Sequence, residues 1–550
     1  MAGLSGLPTE LLEHILSYCG DQHDLYALCR VSRQLHLATI PILYRHVDLR
    51  IRFTKVPRID QFLFLVRRDA QRAKYVRSLY LGLIGSRSSF KHGSYCLTTA
   101  PRATCMRQLE EMSRQPPFNK GQIPDLLHEA MFNREYGAFA ALLVLSLPSV
   151  QRLAVSNEDN SCALPMSSVL GFSTKVGNNL TTSLTQPLVS IREVTYTVTH
   201  MSVGGSEEHF RRRSPNVNLE AYLQLPGLTS LDINIPPRAD WFSAFSERGA
   251  NLSTIVLRHS SSLIYSLKSI LWSTPRLQSL TCEMYLEHRT SRREDWERRP
   301  WLELPMLNSG LAKVKDTLKT LVLSVEFCNP DTAPNMQCRI RDDIAGRLDL
   351  SDFEQLETLE LPYPLLTGDS NFLISNEIET ALPRNIRHLS LRTDMSRGAQ
   401  YAYEEAILQD MSRTDTSPVA QERFRTNARM DISYMFRTTQ ILLDRLENLQ
   451  TISVWQPMDP ALEWFPDQIK DLAITCRNKS IMGKAIFPQM LRLNHSKHFD
   501  LVKVVTLFDP NIAFRGPYES LVRGERDSLP LGLGCQYLQH KLREVERFKS

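Results

Sequence analysis

One short pattern, hydrophobic-x-x-hydrophobic-x-hydrophobic, returns along most of this chain. It occurs at Val150-Leu153-Val155, Ile191-Val194-Tyr196, Leu228-Leu231-Ile233, Leu252-Ile255-Leu257 and Leu277-Leu280-Cys282. It continues at Leu318-Leu321-Leu323, Leu356-Leu359-Leu361, Ile386-Leu389-Leu391 and Leu449-Ile452-Val454, with a weaker instance at Ile469-Leu472-Ile474. So loose a pattern also arises by chance, so its context carries the weight. Pro148, Pro226 and Pro275 each stand two residues before it, and helical stretches such as Ser262 to Trp272 and Asp431 to Leu446 precede it. Proline at that place ends a helix and turns the chain into an extended segment. Each repeat therefore reads helix, turn, short strand. The first of them pairs an amphipathic helix, with Ile59, Phe62, Leu63, Val66, Ala70 and Ala73 on one face, with the strand Tyr75 to Leu81.

Such a repeat cannot bury its apolar face alone, whereas stacked neighbours share one continuous core. The repeats resemble degenerate leucine-rich repeats. That resemblance implies an α/β fold, an irregular horseshoe with parallel strands on the concave side and helices on the convex side. Intervals between strands run from about 24 to more than 60 residues, and the Asn that ladders the turns of that family is mostly missing. Segments 86–122, 157–190, 200–218, 328–347 and 394–428, rich in Ser, Arg, Pro, Thr or Asn, read as inserted loops. Alternate strand residues face opposite sides, so the residues flanking the inward apolar pair face the concave surface. Its charged and aromatic members are Asp232, Arg258, Glu283, Glu360, Arg392 and Trp455, which become the candidate substrate-binding residues.

The whole chain has 550 residues, of which 42% are hydrophobic and 23% charged, the composition of a folded protein rather than a disordered one. A net charge of +5 spread over that length names no nucleic-acid partner. Ten cysteines without a CxxC pair read as free thiols, which suits a reducing compartment. The opening residues lack a basic n-region and carry Glu10 and Glu13, unlike a signal peptide, and the longest apolar run, Phe139 to Leu147, is about half a membrane span. Cytosol, nucleus or both is the expected location.

The first fifty residues predict three short helices. Pro8 suits the first turn of a helix carrying Leu11, Leu12, Ile15 and Leu16. A second, starting near Asp21 to Asp24, carries Leu25, Leu28, Val31 and Leu35. A third runs through Leu37 and Ile40, bends or restarts at Pro41, and leads by Tyr44 into a short strand, Val47-Asp48-Leu49-Arg50-Ile51. Helices this short cannot cover all these side chains among themselves, so part of the surface meets either the rest of the chain or another protein.

Three blocks, Leu7-Pro8-Thr9-Glu10-Leu11-Leu12-Glu13-His14-Ile15-Leu16, Leu25-Tyr26-Ala27-Leu28-Cys29-Arg30-Val31-Ser32-Arg33 and Ile42-Leu43-Tyr44-Arg45-His46-Val47, resemble in order and spacing an F-box. Tyr44 stands where that family more often has Trp. The resemblance implies that Leu7, Pro8, Leu11, Leu12, Ile15, Leu16, Leu28, Val31 and Ser32 face a Skp-type adaptor, and through it a cullin. The domains expected are an adaptor-binding F-box over 1–50, a recognition domain over 51–476, and a C-terminal extension or cap over 477–550 that ends in a charged helix, Gln536 to Lys549.

No phosphate loop, GxSxG elbow or HExxH helix occurs, and Cys328 with Cys338 or His495 with His498 lack further partners at metal-ligand spacing. No cofactor, metal or catalytic residue is expected. The function implied is substrate recognition for an SCF-type ubiquitin ligase, a non-enzymatic role supplying proximity. The alternative is a scaffold or inhibitor that binds the adaptor outside a ligase.

Overall fold

The computed structural model describes residues 7–19, 22–52, 57–84, 101–114, 125–157, 186–198, 222–223, 225–234, 251–260, 263–287, 302–328, 344–368, 378, 380–393, 433–456, 463–490, 500–512 and 518–524. Most residues of the expected insertions, Cys338, His495, His498 and the expected C-terminal helix lie outside them. The chain divides into two units, one of Met1–His200, Pro215–Ile233 and Ser243–Asn251, the other of Met201–Ser214, Asn234–Phe242 and Leu252–Ser550.

The first unit opens with helices α1 (Thr9–Ser17), α2 (Gln22–Leu28) and α3 (Arg33–Leu43). Pro8 precedes α1 and its carbonyl accepts the Leu12 N–H at 3.1 Å, so the ring sits where no helical N–H is needed. Ser32 caps α3, its Oγ accepting the Leu35 N–H at 3.2 Å. Pro41 lies inside α3 without ending it: it falls in the last turn, so the helix forgoes the bond to the Leu37 carbonyl but only two helical residues follow the ring. Leu12, Leu16, Leu25, Leu35 and Ala38 form the core of this module, with Leu7, Cys19, Leu28, Ile42 and Leu43 packed around it.

No linker separates the three helices from the first sheet. Tyr44 stacks on Phe62 at 6.1 Å, and Arg72 lies 5.6 Å over its ring while donating to its hydroxyl at 3.2 Å. Phe62 belongs to α4 (Ile59–Arg68) and Arg72 to α5 (Ala70–Tyr75). Strands β1 (His46–Asp48) and β2 (Ile51–Arg52) both pair in parallel with β3 (Ser78–Ile84), so residue 50 falls between two strands of one sheet. The sheet continues through β4 (Arg152–Asn157), β5 (Glu193–Val198) and β6 (Ser230–Asn234), all parallel. Helices α6 (Arg102–Ser113), α7 (Asp125–Phe132), α8 (Tyr136–Ser146) and α9 (Gln186–Val189) belong to the same unit, and α4, α7 and α9 pack on α8, which is buried nearly all round. Tyr136 at its start donates to Leu49 O at 2.7 Å and accepts from Gly82 N at 3.2 Å, tying β3 to the chain after β1. Gly82 has φ +103°, and a Cβ there would lie 1.6 Å from Ser156 O, so only glycine fits.

The second unit repeats the scheme. Its sheet runs β7 (Thr254–Ser260), β8 (Ser279–Glu287), β10 (Thr320–Cys328), β12 (Thr358–Pro362), β13 (His388–Arg392), β14 (Thr451–Trp455) and β15 (Met482–Met490), all parallel. The short β9 (Leu302–Glu303) and β11 (Ile344–Ala345) pair with each other. The helices are α10 (Leu263–Trp272), α11 (Leu304–Leu311), α12 (Pro364–Thr367), a further one over 433–445, and α13 (Pro466–Asn478).

In both units the recurrent apolar pair points into the core and falls in register. Leu79, Leu153, Val194 and Leu231 align across the first, and Ile255, Leu280, Leu321, Leu359, Leu389 and Ile452 across the second, each at 1% exposure or less. Burying such a column is worth about 2 kcal/mol per side chain, which fixes the register. The turns are laddered as well, though by mixed residue types. Ser190, Thr317, Asn385 and Asn448, each three residues ahead of the strands starting at 193, 320, 388 and 451, donate to Val150 O (2.8 Å), Leu277 O (2.8 Å), Glu354 O (2.6 Å) and Arg384 O (3.1 Å) of the preceding repeat.

One expectation fails at the C-terminal end. Ile469-Leu472-Ile474 lies in helix α13, not a strand: Pro466 occupies its first turn, and Leu472 and Cys476, four residues apart, supply its buried stripe. The parallel arrangement ends one strand later. β15 continues the parallel sheet past residue 477, but β16 (Asp500–Phe508) and β17 (Tyr518–Gly524) are antiparallel. Antiparallel neighbours need no crossover helix, so these strands close the sheet without another repeat.

Candidate docking face and polar strand face

Helix α1 is apolar on two stripes, and they face different surroundings. Leu12 and Leu16, at 1% and 3% exposure, point into the helical core. Leu11, Ile15 and Tyr18, at 51%, 46% and 77%, lie in contact with water, at the i, i+4, i+7 spacing of one helix face. Tyr18 packs edge-on against His14 with ring centroids 5.3 Å apart. Tyr26 on α2, Val31 after it and Leu37 on α3 are exposed too. Among the described residues, no element of this chain covers the outer face of α1.

The nine residues expected to meet an adaptor thus fall into three groups. Pro8, Leu11, Ile15, Val31 and Ser32 are exposed, with Ser32 also serving as the α3 cap. Leu7 and Leu28 are half-buried against the core, and Gln34 Nε2 donates to Leu7 O at 3.0 Å. Leu12 and Leu16 hold the module together and are not available to a partner. Tyr18, Tyr26 and Leu37 are exposed residues that sequence reasoning missed, although Tyr18 continues the Leu11–Ile15 spacing by one more turn.

The polar faces of the strands carry the six candidate substrate-binding residues. Asp232, half-buried on β6, lies in the first unit and the other five lie in the second. Arg258 on β7 and Glu283 on β8 approach to 3.8 Å, with the Glu283 side chain only 1% exposed. Glu360 on β12 forms an ion pair with Arg392 on β13. The Arg392 guanidinium lies 4.4 Å over the Trp455 ring on β14, and Trp455 Nε1 donates to Ser390 Oγ at 3.1 Å. Arg392 and Trp455, at 1% and 3% exposure, are buried, so the expected open concave surface is closed at this level of the strands. Charges held like this, paired and stacked, order a sheet; they do not wait in water for a ligand.

Burial pushes the Cys282 thiol up, with the Glu283 carboxylate adding to it, and burial pushes Cys476 up to about 12, so both stay protonated and unreactive. Among the described residues, no group of three or more His, Cys, Asp or Glu is placed to hold a metal ion, and no helix is long and apolar enough to cross a membrane.

A contiguous row of large apolar side chains held out in water is the kind of surface that marks interaction sites in folded proteins. Residues 4–87 match the family model of the COS11 F-box domain, so the chain carries an F-box domain with a long mixed α/β region after it. The match reaches through β3, in keeping with the pairing of β1 and β2 to that strand. No curated protein matches the chain. F-box domains generally bind Skp-type adaptors, and proteins that carry them are typically non-catalytic.

Proposed function

We propose that this protein is the substrate-recognition subunit of an SCF-type ubiquitin ligase. The F-box domain holds the Skp-type adaptor, and through it a cullin; the long region, read as a leucine-rich-repeat-like recognition domain, holds a protein substrate. The observation that carries the reading is the uncovered row Leu11, Ile15 and Tyr18 on α1. Large aliphatic and aromatic side chains clustered on one helix face are what a helix-to-helix interface uses for its central contacts. In-register strands and the turn ladder at positions 190, 317, 385 and 448 support the repeat reading. The protein contributes proximity, and the chemistry belongs to other subunits.

Affinity purification of full-length protein beside Leu11→Asp/Ile15→Asp tests this. A deletion of residues 1–50 would be a poor substitute, because it removes β1 from the sheet. Adaptor and cullin should be recovered with the unaltered protein and lost with the variant, while the remaining partners are kept. Adaptor recovered without a cullin would point instead to a scaffold or inhibitor acting outside a ligase.

A further inference from the structure

The N-terminal edge of the sheet in the first unit carries four arginines on neighbouring strands. Arg77 N and Ser78 N donate to Arg45 O, Gln151 N and Arg152 N to Arg77 O, and Arg192 N and Glu193 N to Gln151 O, all at 2.8–3.0 Å. The ladder sets Arg45, Arg77 and Arg192 just ahead of β1, β3 and β5, and Arg152 at the start of β4. All four are exposed. With strands about 4.8 Å apart, the row from β1 to β5 is about 15 Å long.

The row is short of carboxylates. Arg152 holds Glu193 at 2.7 Å, and the Asp48 carboxylate on β1 is taken by Arg50 at 2.8 Å. Among the described residues, Arg45, Arg77 and Arg192 have no carboxylate partner. Arg77 Nη1 and Arg192 Nη1 donate to Ser149 O (3.4 Å) and Gly227 O (3.1 Å), which anchors two guanidiniums and leaves their other donors free to bind. His46 between them senses the field: burial, then Arg45 and Arg152, lower its pKa, keeping it neutral.

We propose that this edge docks an acidic segment of the substrate, about four or five residues rich in Asp and Glu lying across the strands, since an extended chain covers about 15 Å in that length. The assignment rests on the receptor reading above. Guanidinium forks match carboxylates in two-bond geometry, and Arg152 Nε already holds the Glu193 carboxylate at 2.7 Å at this edge. Nucleic acid fits less well, because none of Arg45, His46, Arg77, Gln151, Arg152 and Arg192 offers a Phe, Tyr or Trp on which a base would stack.

The test is fluorescence anisotropy with full-length protein and a labelled peptide of five glutamates flanked by glycines, beside a five-glutamine control and a phosphoserine peptide. The glutamate peptide should bind at low salt and dissociate at high salt, the glutamine peptide should not bind, and Arg45→Glu/Arg77→Glu should weaken binding about ten-fold or more with an unchanged Tm. Reversing an exposed charge of the second unit, Arg437→Glu, should leave binding as it is. No binding by the unaltered protein, equal binding by the double variant, or about ten-fold tighter binding of the phosphoserine peptide would overturn the proposal. Adaptor capture, measured on the same samples, keeps the two readings apart: a failed acidic site leaves it intact, whereas failure of the receptor reading shows as unaltered protein that captures no adaptor.

Discussion

The outer face of α1 and the polar face of the second unit's sheet invert each other's chemistry. On α1, Leu11, Ile15 and Tyr18 stand in water; on the sheet, Glu283, Arg392 and Trp455 are dry. Truncating half-exposed apolar residues costs the fold little, and their spacing on one face suits a partner's surface. Buried charges act within the fold, because a desolvated guanidinium needs its carboxylate and its aromatic ring at every moment, ligand or not. A row of charged residues read from sequence as a binding surface therefore divides by burial into groups that hold the sheet and groups that can meet something else.

Five substitutions sharpen that contrast. The largest effect should come from the buried pair. Arg392→Ala strips Glu360 of its ion pair and Trp455 of its stacked cation, at an expected cost of about 3 kcal/mol, read as a fall in the chemical-denaturation midpoint. On α1 the two stripes should separate cleanly. Leu11→Ala and Ile15→Ala should each weaken adaptor binding by about 2 kcal/mol or more in calorimetry and leave Tm unchanged, whereas Leu16→Ala should lower Tm first, through a cavity in a very small core. If Leu11→Ala destabilised the fold as much as Leu16→Ala, the division into wet and dry stripes would be wrong. Asn448→Ala removes one rung of the turn ladder and should cost about 1 kcal/mol in the same denaturation measurement.

The smallest effect concerns pH. The His46 pKa is lowered from its ordinary 6.5, so the unfolded chain binds this proton more readily than the folded one. Its contribution to stability is complete above that value and is lost as pH falls through it toward the lower folded value. His46→Gln should flatten this part of the stability–pH curve, seen as a smaller difference between Tm at pH 7.5 and pH 5.5.

Much of the architecture is legible in the sequence because its signals are local. The phrase carrying Leu321 and Leu323, or Leu389 and Leu391, predicts which strand residues point inward, and every such pair in β4 to β14 with this phrase is buried. Helix α13 defeats that rule because Ile469, Leu472 and Ile474 fit a strand phrase as well as a helix; Pro466 and the Leu472–Cys476 spacing are the signals that distinguish them. The turn ladder is hidden from a search for Asn alone, since Ser190 and Thr317 also bond the preceding repeat, at the carbonyl two residues ahead of its strand, where Asn385 and Asn448 reach the one four residues ahead. For the candidate site, periodicity picks out Leu11 and Ile15 together with Leu12 and Leu16, without a means of separating them.

The sequence by itself determined the helix-turn-strand repeat, the inward strand positions and the presence of an F-box, since each depends on residues only a few places apart. Tertiary structure alone decided which apolar stripe of α1 stays wet and which charges on the strands go dry. Burial is a property of what lies alongside, and neighbours such as Glu360 and Arg392, or Arg45 and Arg152, are brought together by sheet register across long stretches of chain.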